Sequence, residues 1–253
     1  METTAQSMMM TSRLWLLGKG IKNRIVTSCT LSLLLSVTSV ALAEYVPPPD
    51  QPPPKGNTSS SGPRGGCASN TDVPLTVLAP IKHVGQTASV RPTFAWFVPD
   101  TKSFPLEFKL FEVTGNNSFK LVEKLDLQSS SGIMKLSLPE DKPGLAVGQR
   151  YLWQIALKCD SNYPSTWVVA RAQIEVVEMP PNLKTVLSTT KNSQEITEVY
   201  ARASLWYDAL REALETAEGS RLGAIASSLL ADLAKLEEPQ QRANLSQIAN
   251  SQR

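Results

Sequence analysis

The sequence predicts a mainly β protein with a helical tail: an antiparallel β-sandwich of the immunoglobulin or fibronectin type III kind, then a small helical subdomain. Apolar and polar residues alternate between Leu75 and Glu178, which is the period of half-buried strands. Turn-forming residues recur between these runs, as is typical of sandwiches built from short strands. After Met179-Pro180-Pro181, apolar residues recur at steps of three and four, as in amphipathic helices.

The clearest strand runs from Tyr151 to Cys159, with Trp153 among the alternate residues that share its apolar face. Trp153 and Trp96 both fall on inward-facing positions, so we expect them in the core rather than in a sugar-stacking site. The other predicted strands are Leu75 to Leu78, Phe94 to Val98, Leu106 to Val113, Phe119 to Leu127, Ile133 to Leu138 and Val168 to Val176.

A local motif supports the sandwich. Leu145, Gly148 and Tyr151 have the spacing of a tyrosine corner, in which the Tyr hydroxyl bonds to backbone just upstream and fixes the start of the penultimate strand. We therefore expect a hydrogen bond from the Tyr151 hydroxyl to the chain before it.

The helical tail divides into several predicted helices. We expect a short helix from Asn182 to Thr189, and a second that follows an N-cap at Ser193 and breaks near Ser204. A third continues to Gly219, and a fourth follows from Leu222 to Leu236. The last fourteen residues are polar, and we expect them to fray.

The stretch from Tyr200 to Leu210 resembles part of one tetratricopeptide unit, with small residues where two antiparallel helices cross. One interpretation is a partner-binding surface that contains Trp206, Tyr207 and Asp208. The other is a helical hairpin packed on the sandwich. A single unit does not build a solenoid.

The first 43 residues are typical of a secretory signal peptide. Four basic residues precede an uncharged run from Ile25 to Leu42, and Ala41-Leu42-Ala43 is a small-x-small cleavage motif. We expect cleavage between Ala43 and Glu44, and thus a periplasmic or secreted protein whose contact with a membrane requires an uncleaved signal. A retained signal anchor and a lipoprotein modified at Cys29 are the alternatives.

Residues 44–66 are rich in Pro, Ser and Gly, and we interpret them as a disordered linker before a sandwich at 67–179 and a helical tail at 180–253. The first 43 residues hold four of the 25 Lys and Arg and one of the 23 Asp and Glu, so the remainder has a formal charge of −1. That balance, without a basic cluster, argues against a nucleic-acid partner.

Outside the leader, the chain has two cysteines, Cys67 and Cys159. An even number of cysteines in an oxidising compartment predicts a disulfide between them, and two buried free thiols are the alternative. In the chain-entropy model, such a bridge stabilises the fold by about 4 kcal/mol.

The residues give little sign of catalysis. The one histidine, His83, has no Cys or carboxylate at ligand spacing, and we predict no metal and no cofactor. Glu107 and Glu112 fall on opposite faces of one strand, so they do not form a catalytic pair. A hydrolase whose carboxylates come from separate loops is the enzyme alternative.

The order of several segments resembles the domain of unknown function 928 family, exported proteins seen mainly in cyanobacteria. These segments are Pro74 to Pro80, Arg91 to Pro99, Leu145 to Asp160 and Leu205 to Leu210. The resemblance covers roughly Cys67 to Leu214. It implies an exported protein and supplies no catalytic residues.

These observations together predict an exported, non-catalytic adapter whose partner is another exported or envelope protein. The alternative binding role is recognition of an envelope glycan or cell wall by two loop aromatics, Tyr163 and Trp167. The oligomeric state is not predicted.

Overall fold

The computed structural model describes residues 44–49, 54, 67, 72–115 and 118–253. The predicted signal peptide, which ends at Ala43 of the predicted cleavage site, lies outside these residues. Most of the predicted linker also lies outside them. In the described parts of the chain, no helix combines the length and apolar character needed to cross a membrane.

The described chain is mostly β, with a helical C-terminal part. Eight strands precede five helices. The strands are β1 (Thr76–Val77), β2 (Gly85–Thr87), β3 (Thr93–Val98), β4 (Pro105–Val113), β5 (Phe119–Gln128), β6 (Gly132–Ser137), β7 (Arg150–Leu157) and β8 (Val168–Val176). The helices are α1 (Pro181–Thr189), α2 (Ser193–Arg202), α3 (Trp206–Glu215), α4 (Gly223–Leu236) and α5 (Pro239–Ser251).

The strands form two sheets. A three-stranded sheet has the order β1-β3-β6, and a five-stranded sheet has the order β2-β8-β7-β4-β5. All pairs are antiparallel except β2 with β8, which is parallel. The sequence predicted seven of these strands but not β2, and it predicted only antiparallel pairing. β2 has three residues, which are too few to show an alternation of apolar and polar side chains. Its parallel pairing depends on the edge of β8, which is distant in sequence.

The core joins both sheets to the helices. The Phe94 ring of β3 lies 5.1 Å from the Phe108 ring of β4 and 5.2 Å from the Trp153 ring of β7, measured between centroids. Tyr207 of α3 contacts the same cluster, 6.1 Å from Phe94. Trp96 and Trp153 are fully buried, which confirms their prediction as core residues.

Close packing at this junction requires a glycine. A Cβ built on Gly85 of β2 would lie 2.8 Å from Cε2 of Tyr207. The ring of Tyr207 therefore occupies the space that any larger residue at position 85 would need.

The tyrosine corner is present as predicted. The backbone N–H of Ala146 donates a hydrogen bond of 3.0 Å to the hydroxyl of Tyr151, the second residue of β7. Cys67 and Cys159 form the predicted disulfide, which joins the chain before β1 to the residues just after β7.

The helix boundaries differ from the prediction in several places, and α3 ends at Glu215 instead of Gly219. Asn192, not Ser193, caps α2, and its Oδ1 accepts hydrogen bonds from the backbone N–H groups of Gln194 and Glu195. The last residues form α5 instead of fraying, because Leu245 and Ile248 give that polar segment a narrow apolar face that is fully buried.

The predicted break near Ser204 is the C-terminus of α2, whose C-cap is Ala203 and whose next residue is Ser204. Ser204 has a φ of +66°, in the left-handed region. The N–H of Leu205 bonds to the carbonyl of Tyr200, and the N–H of Ser204 bonds to that of Ala201. This pair of bonds is a Schellman motif, with serine at the position where glycine is usual.

Candidate functional site: the free edge of the five-stranded sheet

β5 forms one edge of the five-stranded sheet. It pairs with β4, and no strand in the described ranges pairs with its other side. The register passes from Leu110–Glu123 to Phe111–Leu121, so Val122 has no partner in β4 and forms a bulge. An edge strand of this kind presents a row of backbone N–H and C=O groups that are available to another chain.

Large apolar side chains lie on this edge strand. Phe119, Leu121 and Val122 are 40%, 50% and 45% exposed. An open groove of about 480 Å³ lies beside Leu121 and Val122. Its other apolar lining residues include Leu110, Leu138, Leu145 and Tyr151. The edge therefore combines unpaired backbone with an adjacent apolar recess, two features used to bind an extended peptide.

Two ion pairs also line this groove. Lys120 Nζ lies 3.9 Å from a Glu112 carboxylate oxygen, and Lys142 Nζ lies 3.6 Å from one of Glu123. Both lysines are exposed, so the pairs contribute little to stability. These charged side chains instead form a polar rim that can contact a peptide bound in the groove.

The carboxylate of Glu107, on the outer face of β4, is buried among three ammonium groups. Its oxygens lie 2.5 Å from Lys109 Nζ, 3.1 Å from Lys158 Nζ and 3.3 Å from Lys124 Nζ. Burial alone would raise the pKa of Glu107, but the hydrogen bonds from these lysines outweigh it and lower the pKa to about 2. A carboxyl held ionised in this way does not serve as a general acid near neutral pH.

The two aromatics predicted to bind glycan lie in different environments. Tyr163 is 63% exposed. Trp167 is half-buried, its Nε1 donates to the carbonyl of Asp160 at 2.9 Å, and Lys158 Nζ lies over its ring at 5.0 Å from the centroid. Lys158 therefore covers one face of the Trp167 ring.

The predicted partner surface on the helices is corrected by the structure. Trp206, Tyr207 and Asp208 are 0%, 1% and 3% exposed, so they do not present a surface. Amphipathic spacing identifies a buried face but not what covers it, and here the sheets cover it.

Each of these three side chains bonds to the β part of the chain. Trp206 Nε1 donates to the carbonyl of Leu78 at 3.0 Å, and the Tyr207 hydroxyl donates to the carbonyl of Gln173 at 3.1 Å. Asp208 Oδ2 accepts from the backbone N–H of Ala88 at 2.8 Å. They form the joint between helices and sheets.

A second polar junction was missed by sequence reasoning. The carboxylate of Glu237, between α4 and α5, accepts hydrogen bonds from the backbone N–H groups of Ile81 at 3.0 Å and Lys82 at 3.1 Å. Burial raises the pKa of Glu237 to about 7, although these two donors oppose the shift. The Glu238-Pro239 break after Leu236 is the one sequence signal near this group.

His83 belongs to the same junction. Its Nε2 lies 2.9 Å from the hydroxyl of Tyr45. Burial, followed by the charge of Lys82, lowers the pKa of His83 to about 4, so its ring is neutral at physiological pH. Among the residues that the structure describes, no group of His, Cys, Asp and Glu side chains is arranged to hold a metal ion.

Residues 59–250 match the family described as Domain of Unknown Function (DUF928). No curated protein matches the chain. The family match covers the disulfide, both sheets and nearly all of the helical part. The chain belongs to the DUF928 family.

Proposed function

We propose that this chain is an exported, non-catalytic protein-interaction module that binds an extended segment of another exported or envelope protein along β5. The observation that carries this proposal is the edge of β5 that no other strand of the described chain covers, beside an apolar groove. In β-strand addition, backbone hydrogen bonds provide affinity and side-chain recesses provide specificity.

The fold that we infer for the β part is an immunoglobulin-like sandwich. Such sandwiches place their A, B and E strands in one sheet and extend the sheet of strands G, F and C with C′. With β1, β3 and β6 as A, B and E, and β8, β7, β4 and β5 as G, F, C and C′, the two strand orders agree except for β2, which adds in parallel to the edge of β8. The tyrosine corner at the start of β7 falls on strand F, where it is expected.

The tetratricopeptide-like hairpin stays a proposal for α2 and α3. Its support is the pair of fully buried small residues Ala201 and Ala209, one on each helix. Export is also a proposal, supported by the Cys67–Cys159 disulfide, since such bonds persist in oxidising compartments.

The experiment compares two substitutions of equally exposed valines. Val122 on β5 is 45% exposed and Val186 on α1 is 44% exposed. The full chain, with Val122→Asp and Val186→Asp variants beside it, is used to capture proteins from an envelope extract of the source cell. We expect a partner that the wild type and Val186→Asp both retain and Val122→Asp loses.

The captured partner is then purified and tested by hydrogen exchange. Strand addition predicts slower exchange of backbone amides within residues 119–128 when the partner is bound, and little change in α1. Equal capture by Val122→Asp and Val186→Asp, or protection confined to the helices, would contradict docking on β5.

A further inference from the structure

Residues 44–49 lie against the folded chain, although the sequence assigned them to a linker. Tyr45 is 2% exposed, and Pro48 is also buried. The backbone N–H of Val46 donates to the carbonyl of Ala201 at 3.2 Å, while the Val46 side chain remains exposed. One aromatic side chain and one backbone bond thus fix a short proline-rich segment.

Tyr45 contacts His83 and Trp206, and the next residue, Val46, bonds to Ala201. We call the surface formed by His83, Ala201 and Trp206 the Tyr45 socket. The Tyr45 ring meets the Trp206 ring edge-on, with centroids 4.9 Å apart. On another side it stacks on His83, with centroids 5.8 Å apart, and its hydroxyl shares a 2.9 Å hydrogen bond with His83 Nε2. The phenol is therefore both packed and hydrogen-bonded, as buried tyrosines require.

The socket is assembled from parts of the chain that are far apart in sequence. His83 comes from the loop before β2, Ala201 from the end of α2 and Trp206 from the start of α3. Glu237 holds the loop next to His83 through the backbone of Lys82. A segment bound here touches the sheet side and the helix side at once.

We propose that the Tyr45 socket is a binding site for a Tyr-Val-Pro-Pro peptide. Residues 44–49, which we call the clip, fill this site and connect the helices to the sheets. The site also accepts the same sequence from a separate peptide. Three consecutive prolines after Val46 favour an extended polyproline conformation, so the segment loses little conformational entropy on binding. Its covalent connection gives the clip a high effective concentration, so an added peptide does not displace it.

The first test cuts the connection between the clip and the rest of the chain. A site-specific protease sequence is inserted between Ser60 and Ser61 of the full chain, on the N-terminal side of the Cys67–Cys159 disulfide. After cleavage, we expect the fragment that ends at Ser60 to co-elute with the body on size exclusion. With Tyr45→Ala we expect it to separate, whereas Val46→Ala, at an exposed side chain, retains it.

The second test fills the emptied socket. A fluorescent peptide with the sequence of residues 44–49 is titrated into uncleaved Tyr45→Ala protein. We expect saturable binding at least tenfold tighter than that of the same peptide with Ala in place of Tyr, and no binding to the wild type. If Tyr45→Ala does not fold, the Tyr45→Phe variant is used instead in the protease-cleavage test. This variant keeps the aromatic ring but loses the hydrogen bond to His83. That fragment should then dissociate faster than the wild-type fragment.

Three results would overturn the proposal. They are separation of the wild-type fragment on cleavage, equal retention of the wild-type and Tyr45-substituted fragments, and equal binding of the two peptides. None of them bears on β5, so the outcome is independent of the proposed function.

Discussion

Replacement of Glu237 by glutamine tests the junction between helices and sheets through its pH dependence. The pKa of Glu237 is raised from 4.5 to about 7 by burial. A carboxyl whose pKa is higher in the folded state contributes stability that is fully present below pH 4.5 and is lost as the pH rises to about 7. A shift of this size corresponds to about 3 kcal/mol.

His83 acts in the opposite direction over nearly the same range. Its pKa is lowered from 6.5 to about 4, so the folded protein is destabilised as the pH falls from 6.5 towards 4. In the wild type the two slopes largely cancel between pH 4.5 and 6.5. Lys82 and Glu238 are the other charged groups at this junction, and they form an ion pair with a separation of 3.4 Å. The substitution of Glu237 alters neither of them.

In Glu237→Gln, the loss of stability towards pH 7 disappears because the amide does not ionise. We expect the free energy of unfolding, relative to wild type, to increase by about 3 kcal/mol between pH 4.5 and pH 7.5. A pH-independent decrease of about 1 kcal/mol accompanies it, because the amide replaces one acceptor oxygen.

The measurement is urea unfolding followed by tryptophan fluorescence at several pH values, with Glu238→Gln as the matched control. Glu238 is the neighbouring, exposed carboxylate, and its charge makes only the smallest of the contributions to the raised pKa of Glu237, so its replacement should change the pH profile much less than Glu237→Gln does. A difference between Glu237→Gln and wild type that is constant with pH would refute this reasoning about burial. A pH-dependent change in Glu238→Gln as large as that in Glu237→Gln would refute the assignment to Glu237.

Three further substitutions test local features by thermal unfolding. Tyr151→Phe removes the acceptor of the corner hydrogen bond and should lower stability by about 1 kcal/mol, so an unchanged midpoint would count against that bond. Ser204→Gly relieves a left-handed backbone and should raise stability by about 0.5–1 kcal/mol, whereas a loss would show that the serine is not strained. Gly85→Ala forces a Cβ against Tyr207 and should cost about 1–3 kcal/mol. Gly115→Ala, which has open space around it, is the control, and equal effects would contradict the packing argument.

Much of the β part was predictable from local pattern. In the strand that contains Trp153 and Ile155, alternate residues face the interior, so its period and its buried face can be read directly from the sequence. The tyrosine corner was predictable for a similar reason, because Gly148 and Tyr151 act within one turn of chain. The disulfide followed from the count of cysteines.

The candidate site was not predictable in this way. The strand pattern of Phe119 to Leu127 identified β5 but not its place at the edge, because strand order depends on which strands meet in space. Trp206 to Asp208 showed an apolar helix face, but the pattern was equally consistent with a partner surface and with packing on the sheets. Tyr45 lay among prolines and offered no periodicity.

The sequence by itself determined the period of most strands and helices and the tyrosine corner, since these depend on neighbours within a few residues, and the count of cysteines predicted the disulfide. The tertiary structure alone decided that no other described strand pairs with the outer side of β5, that the helices are bound to the β part through Trp206 and Glu237, and that Tyr45 is buried. The reason is physical: local pattern sets which face of a segment avoids water, whereas the surface that covers this face comes from residues distant in the chain.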